Sequence, residues 1–177
     1  MIHSIELINQ PYSGQYDERI YDNQSPWNSS SWTYVKFTSQ DFTEWCGVFR
    51  GSAKKVAHSV RHQTILILTS DYLWKLDAVS GNVLEIEDQP QYHNLTVAPD
   101  GSFIVADYYN VLRIDSSLKS AKPITSPIQM DMIQFKHWNN NTLTIECDEF
   151  TNWENHVELE LDTTDWNLRI KKPHNNR

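Results

Sequence analysis

The chain has 177 residues, with 15 lysines and arginines against 23 aspartates and glutamates and a formal net charge of −8. That length fits one domain able to bury a core without metal or disulfide staples. The charge disfavours nucleic acid and anionic lipid, whose phosphates it repels, and favours a basic partner. Cys46 and Cys147 show neither a disulfide framework nor a metal-ligand spacing, and read as reduced thiols packed as small apolar groups. Met1 to Asn9 show no basic segment followed by an apolar stretch. No run approaches the roughly 18 apolar residues of a membrane span, so a soluble cytoplasmic protein without membrane contact is expected.

Along the chain, Ser4–Ile8, Trp32–Phe37 and Glu44–Phe49 read as strands, whereas residues 11–31 are a polar stretch predicted to be a long loop. From Lys54 to Asp88 four strand-length runs follow: Lys55–Val60, Thr64–Leu68, Tyr72–Asp77 and Val83–Glu87. Turn residues separate them at 61–63, 69–71 and 78–82. The next unit repeats the plan with His93–Val97, Ser102–Ala106, Asn110–Asp115 and Ala121–Thr125. Its Asp100-Gly101 pair supplies the positive φ that tight hairpins demand. The last unit offers Met130–Lys136, Thr142–Glu146, Val157–Leu161 and Trp166–Ile170, with a predicted hairpin at 137–141 and an insertion at 147–155. The tail from Lys171 to Arg177 is expected to fray.

Three of these strands end in an aspartate at a turn, Asp77, Asp115 and Asp162, and 38 residues separate the first two. Periods near 40 built from short strands point to propeller-type blades rather than helical solenoids, and no helix-length amphipathic run is present. The fold expected is all-β: degenerate four-stranded antiparallel blade-like units, as a small or open propeller-like array or a twisted sandwich. A single domain over 1–177 would divide into units at about 1–51, 54–88, 92–125 and 128–171. The three aspartates are read as turn caps rather than as a catalytic cluster.

Leu73-Trp-Lys-Leu-Asp-Ala-Val-Ser-Gly-Asn-Val-Leu84 resembles the blades of quinoprotein-like propellers, and Leu95-Thr-Val-Ala-Pro-Asp-Gly-Ser-Phe-Ile-Val-Ala-Asp107 is similar to lactonase or NHL-type blades. The resemblance implies blade architecture and no activity, since those families carry a metal or quinone on the axis of a ring larger than this chain can build. As a small, acidic, β-rich chain it also resembles the immunity proteins of bacterial contact-dependent growth inhibition. That resemblance implies a non-catalytic inhibitor that neutralises a basic toxin domain, such as a nuclease.

No nucleophile elbow, phosphate-binding glycine loop or Cys-His motif appears, so no catalytic residue, cofactor or metal is assigned. His58, His62 and His93 read as polar side chains at sheet edges rather than as metal ligands. From His137 to Leu168 there is no lysine or arginine. Within that stretch Asp148, Glu149, Phe150, Trp153 and Glu154 combine aromatic anchors with carboxylates, a mixture suited to a basic protein partner. Tyr16, Asp17, Glu18, Tyr21 and Trp27 of the early loop form a second candidate surface. A small-molecule or carbohydrate-binding β module, with tryptophans as stacking platforms, is the alternative expectation.

Overall fold

The computed structural model describes residues 1–171 of the chain, so the tail expected to fray lies, beyond Lys171, outside the described residues. The first sheet holds β1 (Ile2–Ile8), β2 (Asp17–Tyr21), β3 (Trp32–Ser39) and β4 (Glu44–Arg50); the second holds β5 (Ala53–Ser59), β6 (Thr64–Thr69), β7 (Tyr72–Asp77) and β8 (Val83–Asp88). The third comprises β9 (Asn94–Val97), β10 (Phe103–Ala106), β11 (Val111–Ile114) and β12 (Lys122–Ile124), with a short 3-10 turn at Leu118–Ser120. The fourth is β13 (Met130–Asn139), β14 (Thr142–Glu149), β15 (Asn152–Asp162) and β16 (Asn167–Ile170).

Sheets two to four are antiparallel meanders whose spatial order is their sequence order, with hairpins at the expected turns after Thr69, Val97 and Asn139. β6, Thr64–Thr69, is buried along almost its whole length because apolar sheets cover both its faces. Two of the three aspartates cap turns as expected: Asp77 accepts from the Ser80 amide at 3.1 Å and Asp162 from the Thr164 amide at 2.9 Å. Asp115 does not. Arg113 and Lys122 are cross-strand partners on β11 and β12, and their cations converge on the Asp115 carboxylate to make it an ion-pair node.

The first sheet departs from the antiparallel expectation. Its order is β1-β3-β4-β2, and β2 lies parallel to β4, so part of the segment expected to be loop is an edge strand. Tyr21 is thereby paired with Phe49 and turned inward, where it is 8% exposed and stacks on that ring at 4.3 Å.

Three apolar clusters hold the sheets together. The first two sheets share Val35, Phe37, Phe49, Ile67 and Trp74, and the second and third share Leu66, Leu68, Leu73, Phe103 and Val105. The last two share Ile104, Val111, Ile145, Leu159 and Leu161. Among the described residues no such cluster joins the fourth sheet to the first, so the array is an open arc. The leading strands line its inner side, β1 beside β5, β5 beside β9 and β9 beside β13, as in propeller blades. Asn94 secures the last junction: its side-chain amide donates to the Ile133 carbonyl at 2.8 Å and accepts from the Phe135 amide at 3.1 Å, standing in for a strand ladder.

Candidate functional site

In a four-stranded meander entered at the inner strand and left at the outer one, the turn between strands two and three lies at the same end as the connector to the next sheet. At that end of sheets three and four, the turn 107–110, the connector 125–129 and the hairpin tip 150–151 come together. Asp107 builds the turn by accepting from the Tyr109 and Asn110 amides at 2.7 and 2.6 Å. The resulting Asx turn leaves Tyr108 and Tyr109 exposed. Tyr108 stacks on His93 at 4.1 Å, and Tyr109 meets the Phe150 ring edge-on at 6.0 Å, so an aromatic row crosses from one sheet to the next. Beneath it runs a groove of about 630 Å³, lined chiefly by Tyr109, Ile124, Ile128, Met130 and Phe150. The Phe150 amide donates to the Gln129 carbonyl at 2.9 Å and fixes the tip against the connector.

The stretch 147–155, expected as an insertion, is instead a continuation of two strands. Cys147 pairs with Val157, Asp148 with His156 and Glu149 with Asn152, and a bulge between Asp148 and Glu149 absorbs the extra length. Phe150 and Thr151 remain at the tip, with Thr151 at φ 68°, a conformation β-branched residues rarely adopt. Trp153 is 69% exposed, and its indole donates to Asp131 at 3.2 Å. Asp131 and Asp148 are direct cross-strand partners, a like-charge pairing that costs rather than contributes stability. The half-buried Asp148 meets His156 Nδ1 at 2.5 Å, Glu149 accepts from the side-chain amides of Asn152 and Asn155, and Glu154 is exposed. A smaller cavity of about 430 Å³ is bordered by Met132, Gln134, Asp148 and His156.

The acidic run is not uniformly free. Glu146 pairs with Lys136 at 2.6 Å, Glu158 and Glu160 pair with Lys171, and Asp162 and Asp165 pair with Arg169. The Arg169 guanidinium holds the Asp165 carboxyl down to about 2. Asp131, Asp148, Glu149 and Glu154 have no lysine or arginine partner among the described residues, so the uncompensated charge of this sheet gathers at the hairpin tip.

Of the second predicted surface, Tyr21 is not at the surface. Tyr21 belongs to the core, its hydroxyl donating to the Gly81 carbonyl at 2.8 Å; the parallel pairing with β4 put it there. Tyr16 is half-buried, while Asp17 and Glu18 are exposed on the edge strand β2. Trp27 is 75% exposed, on a loop tied to the second sheet by the Ser29 amide, which donates to Asp71 at 2.7 Å. These residues sit on the first sheet and its loop, at the opposite end of the stack from the hairpin. The two groups therefore make separate surfaces. The residues that sequence reasoning missed are Tyr108, Tyr109, Ile128, Asp131 and Met132. The available signal was the tandem tyrosine in a turn whose counterpart in the preceding unit is Ser70-Asp71.

Burial, and then the neighbouring Asp148, push the Cys147 thiol up to about 11, leaving it protonated and weakly nucleophilic at neutral pH. His62 Nε2 lies 3.1 Å from the Asp100 carbonyl, while His93 stacks on Tyr108. Among the described residues no group of three or more His, Cys, Asp or Glu side chains has metal-binding geometry, and no helix is long and apolar enough to cross a membrane.

No family model matches the chain, and no curated protein matches it. Among solved structures it is similar to the N-terminal domain of Nup159, at 14% identity and a TM-score of 0.48, over 69% of this chain and 34% of that one. It is also similar to the dihydro-heme d1 dehydrogenase NirN in complex with DHE, at 13% identity and a TM-score of 0.48, over 82% of this chain and 47% of that one. Both are β-propeller folds. The chain thus spans 34% and 47% of the lengths of these neighbours, and at such values the likeness lends nothing to the reading of function.

Proposed function

We propose that the chain is a non-catalytic protein-binding inhibitor of the immunity-protein kind, which neutralises a basic toxin domain, such as a nuclease, by laying the β14–β15 hairpin on it. One observation carries the reading. The carboxylates Asp131 of β13 and Asp148, Glu149 and Glu154 of the hairpin, without lysine or arginine partners among the described residues, lie around the hairpin's two exposed aromatics, Phe150 and Trp153. Exposed aromatics supply buried area on association, and uncompensated carboxylates supply attraction and specificity toward lysine and arginine. The facing pair Asp131 and Asp148 fits the same account, because a partner's cation would relieve a repulsion that the free chain carries.

The test uses the purified product of the adjacent reading frame, titrated by calorimetry against the parent and two variants. Glu149→Lys with Glu154→Lys replaces attraction by repulsion and is expected to cost several kcal/mol of binding if the contacts are desolvated. Trp153→Ala is expected to cost about 2 kcal/mol if that ring is a central anchor. Both variants should fold, since surface substitutions usually change stability by only about 0.5 kcal/mol. Binding and protection from the toxin that survive both variants unchanged would overturn the reading.

A further inference from the structure

We infer that the groove between the third and fourth sheets receives a segment of the bound protein in which apolar side chains are flanked by lysine or arginine; this rests on the protein-binding reading above and names what the partner inserts. The groove's capacity of about 630 Å³ lies in the range of ligand sites, about 300–1,000 Å³, rather than of packing defects. Its walls, Ile124, Ile128, Met130, Tyr109 and Phe150, are apolar or aromatic, and the last two stand 51% and 43% exposed with their outer faces uncovered. Thr125 and Gln129, also in the lining, form no side-chain hydrogen bonds among the described residues and are free to meet the backbone of an extended segment.

Charge decides the occupant. Among the described residues no lysine or arginine lines the groove; Asp131 and Glu149 adjoin the lining along the chain, Asp107 accepts from the amides of its residues Tyr109 and Asn110, and the adjoining cation, Lys122, is already paired with Asp115 at 2.9 Å. Glu149 is held by two asparagine amides and has no countercharge among the described residues, so a cation arriving with the apolar group finds an anion already in place. A second copy of this chain is a poor occupant, because its net charge of −8 would be brought against the same acidic rim.

The experiment titrates the ¹⁵N-labelled full chain with three probes and follows amide shifts. They are the capped hexapeptide Gly-Arg-Leu-Leu-Lys-Gly, the same peptide with glutamate replacing arginine and lysine, and maltotriose. The basic peptide should move the amides of Tyr109, Asn110, Thr125, Ile128 and Phe150 saturably. The glutamate peptide should bind about tenfold more weakly, and sodium chloride at about 0.5 M should remove most of that difference. Tyr109→Ser, at an exposed ring, should weaken the basic peptide by about tenfold with the melting temperature unchanged; Phe150→Ser, at the other exposed ring of the lining, should do the same and serves as the second variant. Val79→Ala, at an exposed position in a turn of the second sheet, should leave peptide affinity unchanged.

The inference is overturned if the basic peptide causes no saturable shift at these amides, if the two peptides bind equally, or if maltotriose binds there more tightly than the basic peptide. It also falls if the toxin domain binds Tyr109→Ser as well as the parent while still losing affinity for Trp153→Ala. That last pattern removes the groove and leaves the hairpin reading intact, whereas a toxin domain that binds no form of the chain removes the reading itself.

Discussion

Replacing Tyr21 separates a core residue from an interface residue. Its ring is 8% exposed, lies parallel to Phe49 at 4.3 Å, and meets Trp74 edge-on at 6.3 Å, while its hydroxyl donates to the Gly81 carbonyl. A buried aromatic side chain covers about 150–250 Å², which at about 25 cal/mol per Å² is worth about 4 kcal/mol or more. Large-to-small substitution of core aromatics typically costs about 3–5 kcal/mol, so Tyr21→Ala is expected to lose about 4 kcal/mol. Tyr21→Phe keeps the stack and strands the Gly81 carbonyl, an expected loss of about 1 kcal/mol. In urea unfolding followed by tryptophan fluorescence, with a slope of about 2 kcal/mol per M, the midpoints should fall by about 2 M and about 0.5 M. A midpoint for Tyr21→Ala that stays at the parent value, combined with lost partner binding, would refute the inward placement and return Tyr21 to the surface.

Two further outcomes follow from the charged interior. Lys75, whose side chain is 10% exposed, pairs with Glu85 at 2.6 Å and also donates to the Ser116 carbonyl, coupling the second sheet to the third. Glu85→Leu strands a mostly buried ammonium and should cost about 3 kcal/mol by calorimetry, whereas the double variant Lys75→Met with Glu85→Leu should recover part of that, the Ser117 hydroxyl and Leu118 amide still lacking their acceptor; no recovery would refute the assignment. Burial, then His3, lowers the pKa of His58 below 6.5, and burial, then Lys54, lowers that of His93, where Asp107 acts in the opposite sense. Below that value the unfolded chain binds more protons than the folded one, so stability is full above it and falls as the pH drops toward the folded-state values. The thermal midpoint should therefore decline between about pH 7.5 and pH 5, and less steeply in His58→Gln. Asp77 and Asp162 have pKa values lowered below 3.8 by the bonds from Ser80 and Thr164, so their contribution is lost only at lower pH. Equal slopes in parent and variant would count against the half-buried histidine.

Sheets two to four were legible because each is local. Short apolar runs such as Tyr72–Asp77 sit between strong turn signals, so run length and turn chemistry agree. β2 was not legible: Asp17-Glu-Arg-Ile-Tyr21 has neither strand composition nor alternation, and it becomes a strand only through β4, which comes later in the chain. The same contact explains why tyrosine beside acids, an interface-like composition, proved to include a core residue. The exposed aromatics of the hairpin could be read as a candidate surface because Phe150 and Trp153 are close in sequence to the carboxylates around them. The groove was missed because Tyr109, Ile128 and Phe150 belong to three separate connections that meet only when the sheets stack.

The open arc also governs how the molecule loosens. In a closed ring every sheet is gripped from both sides, whereas here, among the described residues, the first and fourth sheets each have a single packed neighbour. Stability in such arrays approximates a sum of unit and nearest-neighbour terms, so the ends detach at lower cost than the middle. Amide protons of β6 and β7 then exchange only with global unfolding, while those of β14 and β15 exchange through release of the fourth sheet alone. The groove spans that last joint. A ligand bound across it clamps two sheets at once, and its signature is slowed exchange through the whole of the fourth sheet, well beyond the side chains it touches.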